Sequence, residues 1–131
     1  MTDEWETPQE LFDDLNEEFN FTLDPCCTKE TAKCHKYYTI EDDGLSIPWS
    51  GERVFMNPPY SNITPWMKKA YESYDLVVAL VPAWTDRIWY HDYVYKKECD
   101  IRFLKGRVRF LLNGEVKTAP RFGSMLVIYN D

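Results

Sequence analysis

The sequence predicts an α/β fold, a mainly parallel central sheet with antiparallel strands contributed by its C-terminal end. Three observations predict it. Segments with strand and helix character alternate from Thr7 to Lys97, and Leu76 to Val81 reads LVVALV with no polar interruption. Such a run belongs to a central strand covered on both faces. Strand candidates alone fill the residues after 100, which places antiparallel strands late.

Taken in order, Thr7-Pro8-Gln9-Glu10 pairs a capping Thr with a Pro that needs no N–H and a Glu three residues after the cap, so a helix starts there. Leu11, Phe12, Leu15 and Phe19 then share one helical face, and Asp13, Asp14, Glu17 and Glu18 the other. Asn20 to Asp24 alternates like a short strand and Pro25 stops it. Residues 26–36 read as loop or short helix, and Tyr37 to Ile40 as a second strand. Glu41-Asp42-Asp43-Gly44 and Pro48-Trp49-Ser50-Gly51 are turns. Val54 to Met56 is a buried strand ending on Asn57.

Thr64-Pro65 repeats the cap-then-proline signal and starts a helix carrying Trp66, Met67, Ala70, Tyr71 and Tyr74. After the central strand, Asp86 to Lys97 forms another helix. Ile101 to Leu104 is a strand, Val108 to Leu112 turns through Asn113-Gly114 toward Val116 as a hairpin, and Met125 to Tyr129 is the last strand. No repeat, linker or low-complexity segment interrupts the 131 residues, so a single domain over 1–131 is expected.

Composition narrows the class. At 44% hydrophobic and 16% aromatic the chain has ample material for a packed core. No run reaches the roughly 18 apolar residues of a membrane span, and the acidic start MTDEWETPQE is unlike a signal peptide, so a cytosolic protein is expected. Adjacent Cys26 and Cys27, with Cys34 nearby and Cys99 distant, make a poor disulfide framework and do not fit the ligand spacing of structural zinc, so no metal is expected. Net charge is -7, yet it is divided: residues 1–60 carry 4 Lys/Arg against 14 Asp/Glu, and residues 61–131 carry 11 against 8. Arg102, Lys105, Arg107, Arg109, Lys117 and Arg121 hold much of the late excess. If a polyanion binds, that half should hold it; a solvated charged surface is the plainer alternative.

The chemistry concentrates in Val54-Phe55-Met56-Asn57-Pro58-Pro59-Tyr60-Ser61. Pro58 drives Asn57 out of the helical region and Pro59 does the same to Pro58, so the turn's geometry is fixed before any ligand arrives. The Asn57 side-chain oxygen and the Pro58 carbonyl remain as acceptors. Two acceptors beside an aromatic ring suit a flat ring that bears an amino group.

An Asn-Pro-Pro-Tyr turn at the end of an apolar strand resembles the signature of S-adenosylmethionine-dependent amino-group methyltransferases. Its surroundings extend the resemblance. WETPQELFDDL, LDPCC, AKCHKYYTIEDDGL, a Trp-Ser-Gly turn, VFMNPPYS, VALVPAWTDRIWY and KGRVRF follow the order and spacing of the bacteriophage DNA adenine methyltransferase family. The resemblance covers nearly the whole chain and implies a reduced Rossmann-like methyltransferase fold.

It also implies an enzyme acting on the exocyclic amine of adenine in double-stranded DNA, with the base flipped from the helix, inside the bacterial host's cytoplasm if the chain is phage-encoded. Asn57 and Pro58 would accept the two amino hydrogens, Tyr60 would stack on the base, and Pro59 would brace the turn. For S-adenosylmethionine, Asp24 with Pro25 and Cys26 would meet the methionine amino group, and Asn57 would border the methyl. Thr7 beside Trp5 either closes over the methionine carboxylate or serves as a helix cap. Asp42 or Asp43, with Asp43 preferred, lies near the spacing of a ribose-binding acid. Arg107, Arg109 and Arg121 would position phosphate. The turn Asp24-Pro25-Cys26-Cys27 departs from the usual pattern because no Gly precedes Gly44, which puts donor affinity in doubt. RNA or a protein amide remains an alternative acceptor, as does a non-catalytic acidic DNA mimic, and monomer and homodimer both remain open.

Overall fold

The computed structural model describes residues 5–73, 75–116 and 120–130. Tyr74 and Lys117, assigned above to a helix face and to the late basic group, lie outside them. Helix α1 spans Gln9–Phe19, strand β1 Leu23–Asp24, β2 Lys36–Tyr37, β3 Val54–Met56, α2 Thr64–Glu72, β4 Val77–Pro82, α3 Ile88–Tyr93, β5 Asp100–Phe103, β6 Leu111–Leu112, β7 Glu115–Val116 and β8 Ser124–Tyr129.

Six strands form one sheet in the order β2-β1-β3-β4-β8-β5, and β6 and β7 form a separate ribbon. The first four are parallel, in register through Leu23 opposite Lys36 and Val54, and Val54 opposite Val77. Strand β8 runs antiparallel between β4 and β5. The expected antiparallel strand is therefore inserted within the sheet, and the edge strand β5 is parallel to the first four.

Strict alternation along β4 divides two layers. Val77, Ala79 and Val81 pack with Trp66, Met67 and Ala70 of α2 and Trp89 of α3. Val78 and Leu80 pack with Phe12, Leu15 and Phe19 of α1 and with Val108 and Phe110. Both faces of β4 are thus dry, which is why its sequence lacks polar alternation.

Several boundaries differ from the sequence reading for local reasons. Asn20 adopts φ 54° and ends α1 in a left-handed cap, so β1 begins only at Leu23. The second strand ends at Tyr37, where the Tyr38 N–H turns to the Asp24 carbonyl at 3.0 Å. A 3-10 turn over Tyr60–Asn62 runs directly into α2, which makes Thr64 a helical residue and leaves Ile63 as the cap. Helix α3 is only six residues long, and Lys96 at φ 59° closes the loop after it.

The chain leaves β1 for β2 on one side, then crosses back to place β3 on the other side of β1. That reversal opens a crevice at the C-terminal ends of β1 and β3, the position at which open α/β sheets bind ligands. Asp24 ends β1, and Asn57 follows β3.

Candidate active site

A cavity of about 560 Å3 occupies that crevice, within the roughly 300–1,000 Å3 of small-molecule sites. The sequence-predicted residues Trp5, Thr7, Asp24, Pro25, Cys26, Asp43, Asn57 and Pro59 all line it. The turn after β1, the 39–44 loop, the Asn57 turn and the N-terminal segment therefore share one wall system.

Asp24 is 4% exposed, and burial pushes its carboxyl up to about 6; the Lys33 and Cys26 backbone N–H groups and the Cys27 thiol oppose that rise. The Lys33 N–H donates to Asp24 Oδ2 at 3.1 Å. The Lys33 side chain, itself buried, reaches the other way, donating to Glu6 Oε2 at 3.3 Å and Gln9 Oε1 at 2.9 Å. Lys33 thus joins the acid at the cavity floor to the N-terminal segment at its rim. Cys26 and Cys27 border the same space, and burial holds both thiols above their ordinary range, so neither is a thiolate nucleophile.

Gly44 packs directly against the turn after β1. A Cβ at Gly44 would lie 2.2 Å from the Pro25 carbonyl oxygen and 3.3 Å from the Trp66 ring. Close approach of the two loops is made possible from the 39–44 side by the absence of a side chain at Gly44.

Of the two candidate acids, Asp43 lines the cavity, whereas Asp42 does not. The Asp42 carboxylate closes its own turn, accepting from the Thr39 N–H at 2.8 Å and the Thr39 hydroxyl at 3.2 Å. Asp42 is therefore a turn cap, and Glu41 is the neighbouring acid that reaches the cavity. Ile40 also lines it while remaining 90% exposed.

The Thr7 cap is likewise corrected. Helix α1 has Pro8 at its N-cap and no side-chain cap. Thr7 Oγ1 instead accepts from Asn57 Nδ2 at 3.1 Å, and the same Nδ2 donates to the Trp5 carbonyl at 3.0 Å. Both amide hydrogens are committed, which leaves Oδ1 as the acceptor that Asn57 can present to a ligand.

Beyond Asn57 the surroundings change. Pro58 is buried, and neither it nor Tyr60 borders the cavity. Tyr60 turns its hydroxyl inward toward the Leu80 carbonyl at 3.4 Å, and burial holds that phenol above its ordinary range. Tyr60 as a whole residue is half-buried, and its ring meets the rings of Trp84, Phe110 and Phe122 edge-on at centroid distances of 6.2, 6.1 and 5.8 Å. Arg87 lies over Trp84 at 4.3 Å.

Arg107, Arg109 and Arg121 are exposed. Val108 and Phe110 are buried between them, so Arg107 and Arg109 do share a side, although residues 107–110 are extended loop rather than strand. Arg107 donates to the Pro120 carbonyl at 2.7 Å, which ties the two basic loops together. Arg102 is engaged elsewhere, paired with Glu18 of α1 at 2.5 Å.

Sequence reasoning missed Lys33, Glu6, Glu41 and Trp66 on the cavity, and Trp84 and Phe122 beside Tyr60. Glu41 stood in the acidic run already singled out. The others carry no local signal, because only the tertiary fold brings residues 6 and 33, or 60, 84 and 122, together.

A parallel sheet with an inserted antiparallel strand and a cavity at its reversal point is the architecture of a methyltransferase. A solved chain from Pyrococcus horikoshii, whose assignment as an RNA methyltransferase is itself provisional, superposes with a TM-score of 0.53 over 92% of this chain and 78% of its own, at 14% identity. That likeness establishes the fold. The family description DNA N-6-adenine-methyltransferase (Dam) matches residues 1–131, and the chain belongs to that family. A DNA N-6-adenine-methyltransferase of Haemophilus phage HP1 is 30% identical over 135 residues, covering 97% of this chain and 78% of the relative. One of Escherichia phage T1 is 31% identical over 95 residues, covering 69% and 40%. The protein is accordingly an enzyme that methylates adenine in DNA, and it requires a methyl donor. Among the described residues no helix is long and apolar enough to cross a membrane.

Proposed function

We propose that the donor is S-adenosylmethionine, held in the cavity between Asp24 and Asn57, and that the target adenine is flipped out to meet Asn57 from the side of Tyr60. The observation that carries the reading is the sharing of one cavity by the buried carboxyl of Asp24 and the carboxamide of Asn57. The donor set fits the cofactor. Asp24 offers a carboxylate to an amino group, and Trp5, Pro25, Cys26 and Trp66 offer apolar surface. Glu41 and Asp43 offer acceptors to hydroxyls beside the apolar Ile40. When bound, S-adenosylmethionine supplies the methyl group as an electrophile on a positively charged sulfur.

The protein's own part is to orient the amine. The nitrogen lone pair of an aromatic amine is delocalised into the ring, and hydrogen bonds to both amino hydrogens favour its localisation. Asn57 Oδ1 accepts one, and the Pro58 carbonyl, fixed by two prolines, accepts the other. The proton leaves the nitrogen after transfer, so no tuned base is required. Tyr60, with its hydroxyl directed inward, offers its ring to the base, and Pro59 braces the turn. Arg107, Arg109 and Arg121 hold the flanking phosphates.

The test has two arms. Calorimetry with S-adenosylmethionine should give binding that Asp24→Asn weakens at least about tenfold. Duplex DNA carrying 2-aminopurine at the target position should brighten on binding, as a base leaving the stack does. Absence of donor binding would remove the cofactor reading, and unchanged fluorescence would remove the flipping one.

A further inference from the structure

We propose that Thr7 is a positioning residue for methyl transfer: its hydroxyl holds in place the Asn57 carboxamide whose orientation the Trp5 carbonyl selects, so that Oδ1 faces the target amine. The inference rests on the reading of Asn57 as the acceptor of that amine.

A carboxamide is nearly symmetric in shape, and its two ends do opposite things. Oxygen accepts a hydrogen bond from an amine, whereas the NH2 group would meet the amine's hydrogens with hydrogens of its own. A free asparagine side chain can present either end. Here the choice is made by Trp5, because a backbone carbonyl accepts and never donates, so the Asn57 atom 3.0 Å from it must be Nδ2. Thr7 Oγ1, 3.1 Å from the same nitrogen, accepts its second hydrogen. With both hydrogens held, rotation of the amide by half a turn would set Oδ1 against the Trp5 carbonyl and leave two half-buried acceptors facing one another.

Thr7 is suited to this task. It is 2% exposed, so its hydroxyl is desolvated and its bond to Asn57 does not compete with bulk water. It also forgoes the bond its sequence context favours: Thr-Pro is a helix-start signal, yet α1 has no side-chain cap. The segment holding it is fixed on both sides. The Glu6 N–H donates to the Leu111 carbonyl at 2.8 Å, the Leu111 N–H returns a bond to the Glu6 carbonyl at 2.9 Å, and Glu6 pairs with Lys33. The hydroxyl is therefore held in place by β6 and by the loop after β1 as well as by α1, whose N-cap is the next residue.

Thr7→Val keeps the shape and removes the acceptor, and Thr7→Ser keeps the acceptor and removes a methyl. With the full chain, S-adenosylmethionine and unmethylated duplex DNA, kcat of Thr7→Val should fall about 10- to 100-fold, with donor Kd by calorimetry within about threefold of the parent. Thr7→Ser should recover kcat to within about fivefold although it loses a buried methyl and melts lower. A rise in donor Kd with kcat preserved would overturn the inference and make Thr7 a donor contact. Loss of kcat that follows melting temperature, with Thr7→Ser as poor as Thr7→Val, would overturn it in favour of a packing role. Asn57→Ala separates the two levels. If that variant stays active, the reading of Asn57 itself fails; if it is inactive while Thr7→Val is normal, only the assignment of Thr7 fails.

Discussion

The two sides of Asn57 are built from different materials. Toward β1 lies a half-open cavity in which a buried acid, a buried lysine and a glycine contact are all fixed by hydrogen bonds or close packing. Toward β4 lies a cluster of buried and half-buried aromatic rings in edge contact, flanked by exposed arginines. The difference matches two kinds of ligand. On the proposed reading, a small, charged, freely diffusing donor takes the cavity with its specific polar partners, and a base carried by a long polyanion takes the aromatic side with its diffuse positive charge.

Substitutions should divide along that line. The largest effect is expected at the boundary itself. Asn57→Ala should lower kcat on DNA by about 100- to 1,000-fold, as loss of a transition-state acceptor does, while donor affinity changes only severalfold. Single-turnover methylation beside donor calorimetry measures both. On the aromatic side, Tyr60→Ala should cost about 10- to 100-fold in kcat/KM for DNA through lost stacking. Tyr60→Phe should stay within about fivefold, because the hydroxyl serves Leu80 and not the base. Equal losses in the two variants would place the hydroxyl in the chemistry and blur the division.

On the cavity side, Gly44→Ala should weaken donor binding about tenfold or more, because its Cβ meets the Pro25 carbonyl at 2.2 Å and must separate the two loops. DNA affinity measured without donor should not change.

Asp24 adds a pH dependence. Its folded carboxyl, raised to about 6, must ionise to hold an amino group, so donor affinity should be level above pH 7 and fall about tenfold per unit below 6. Asp24→Asn should bind weakly at every pH, with a flat profile. The sign is reversed for stability without donor. A raised carboxyl pKa favours the folded state at low pH, and that contribution is lost as pH rises from about 4 through about 6.

The smallest effects belong to the rim. Replacing Arg109 or Arg121 by Ala should weaken DNA binding a few-fold and reduce the salt slope of log K by about 1. Arg102→Ala should leave the slope unaltered, because that side chain is paired with Glu18.

How far the sequence could be read follows from where the information lies along the chain. Val54 to Pro59 and Leu76 to Val81 were legible because burial on both faces and fixed proline torsions are local properties. Asp24 was legible because Pro25 ends its strand. Asp42 was misjudged because a carboxylate three residues after Thr39 can bond backward as readily as reach a ligand, and spacing does not distinguish the two. Thr7 stayed open between a helix cap and a donor contact because its partner, Asn57, is 50 residues away. The contact of Gly44 with Pro25 was not legible, because it joins two loops that no linear pattern relates. Helix α3 was overestimated because continuous amphipathic composition does not reveal that Lys96 takes a left-handed conformation.

Titration of S-adenosylmethionine into the parent protein, Asp24→Asn and Asn57→Ala at pH 7.5, chosen about 1.5 units above the Asp24 pKa so that the acid is charged, tests the division most directly. The account predicts saturable binding in the parent, at least about tenfold weaker binding in Asp24→Asn, and near-parental binding in an Asn57→Ala protein that no longer methylates DNA. Equal affinity in the parent and Asp24→Asn, or no binding by the parent at millimolar donor, would contradict it.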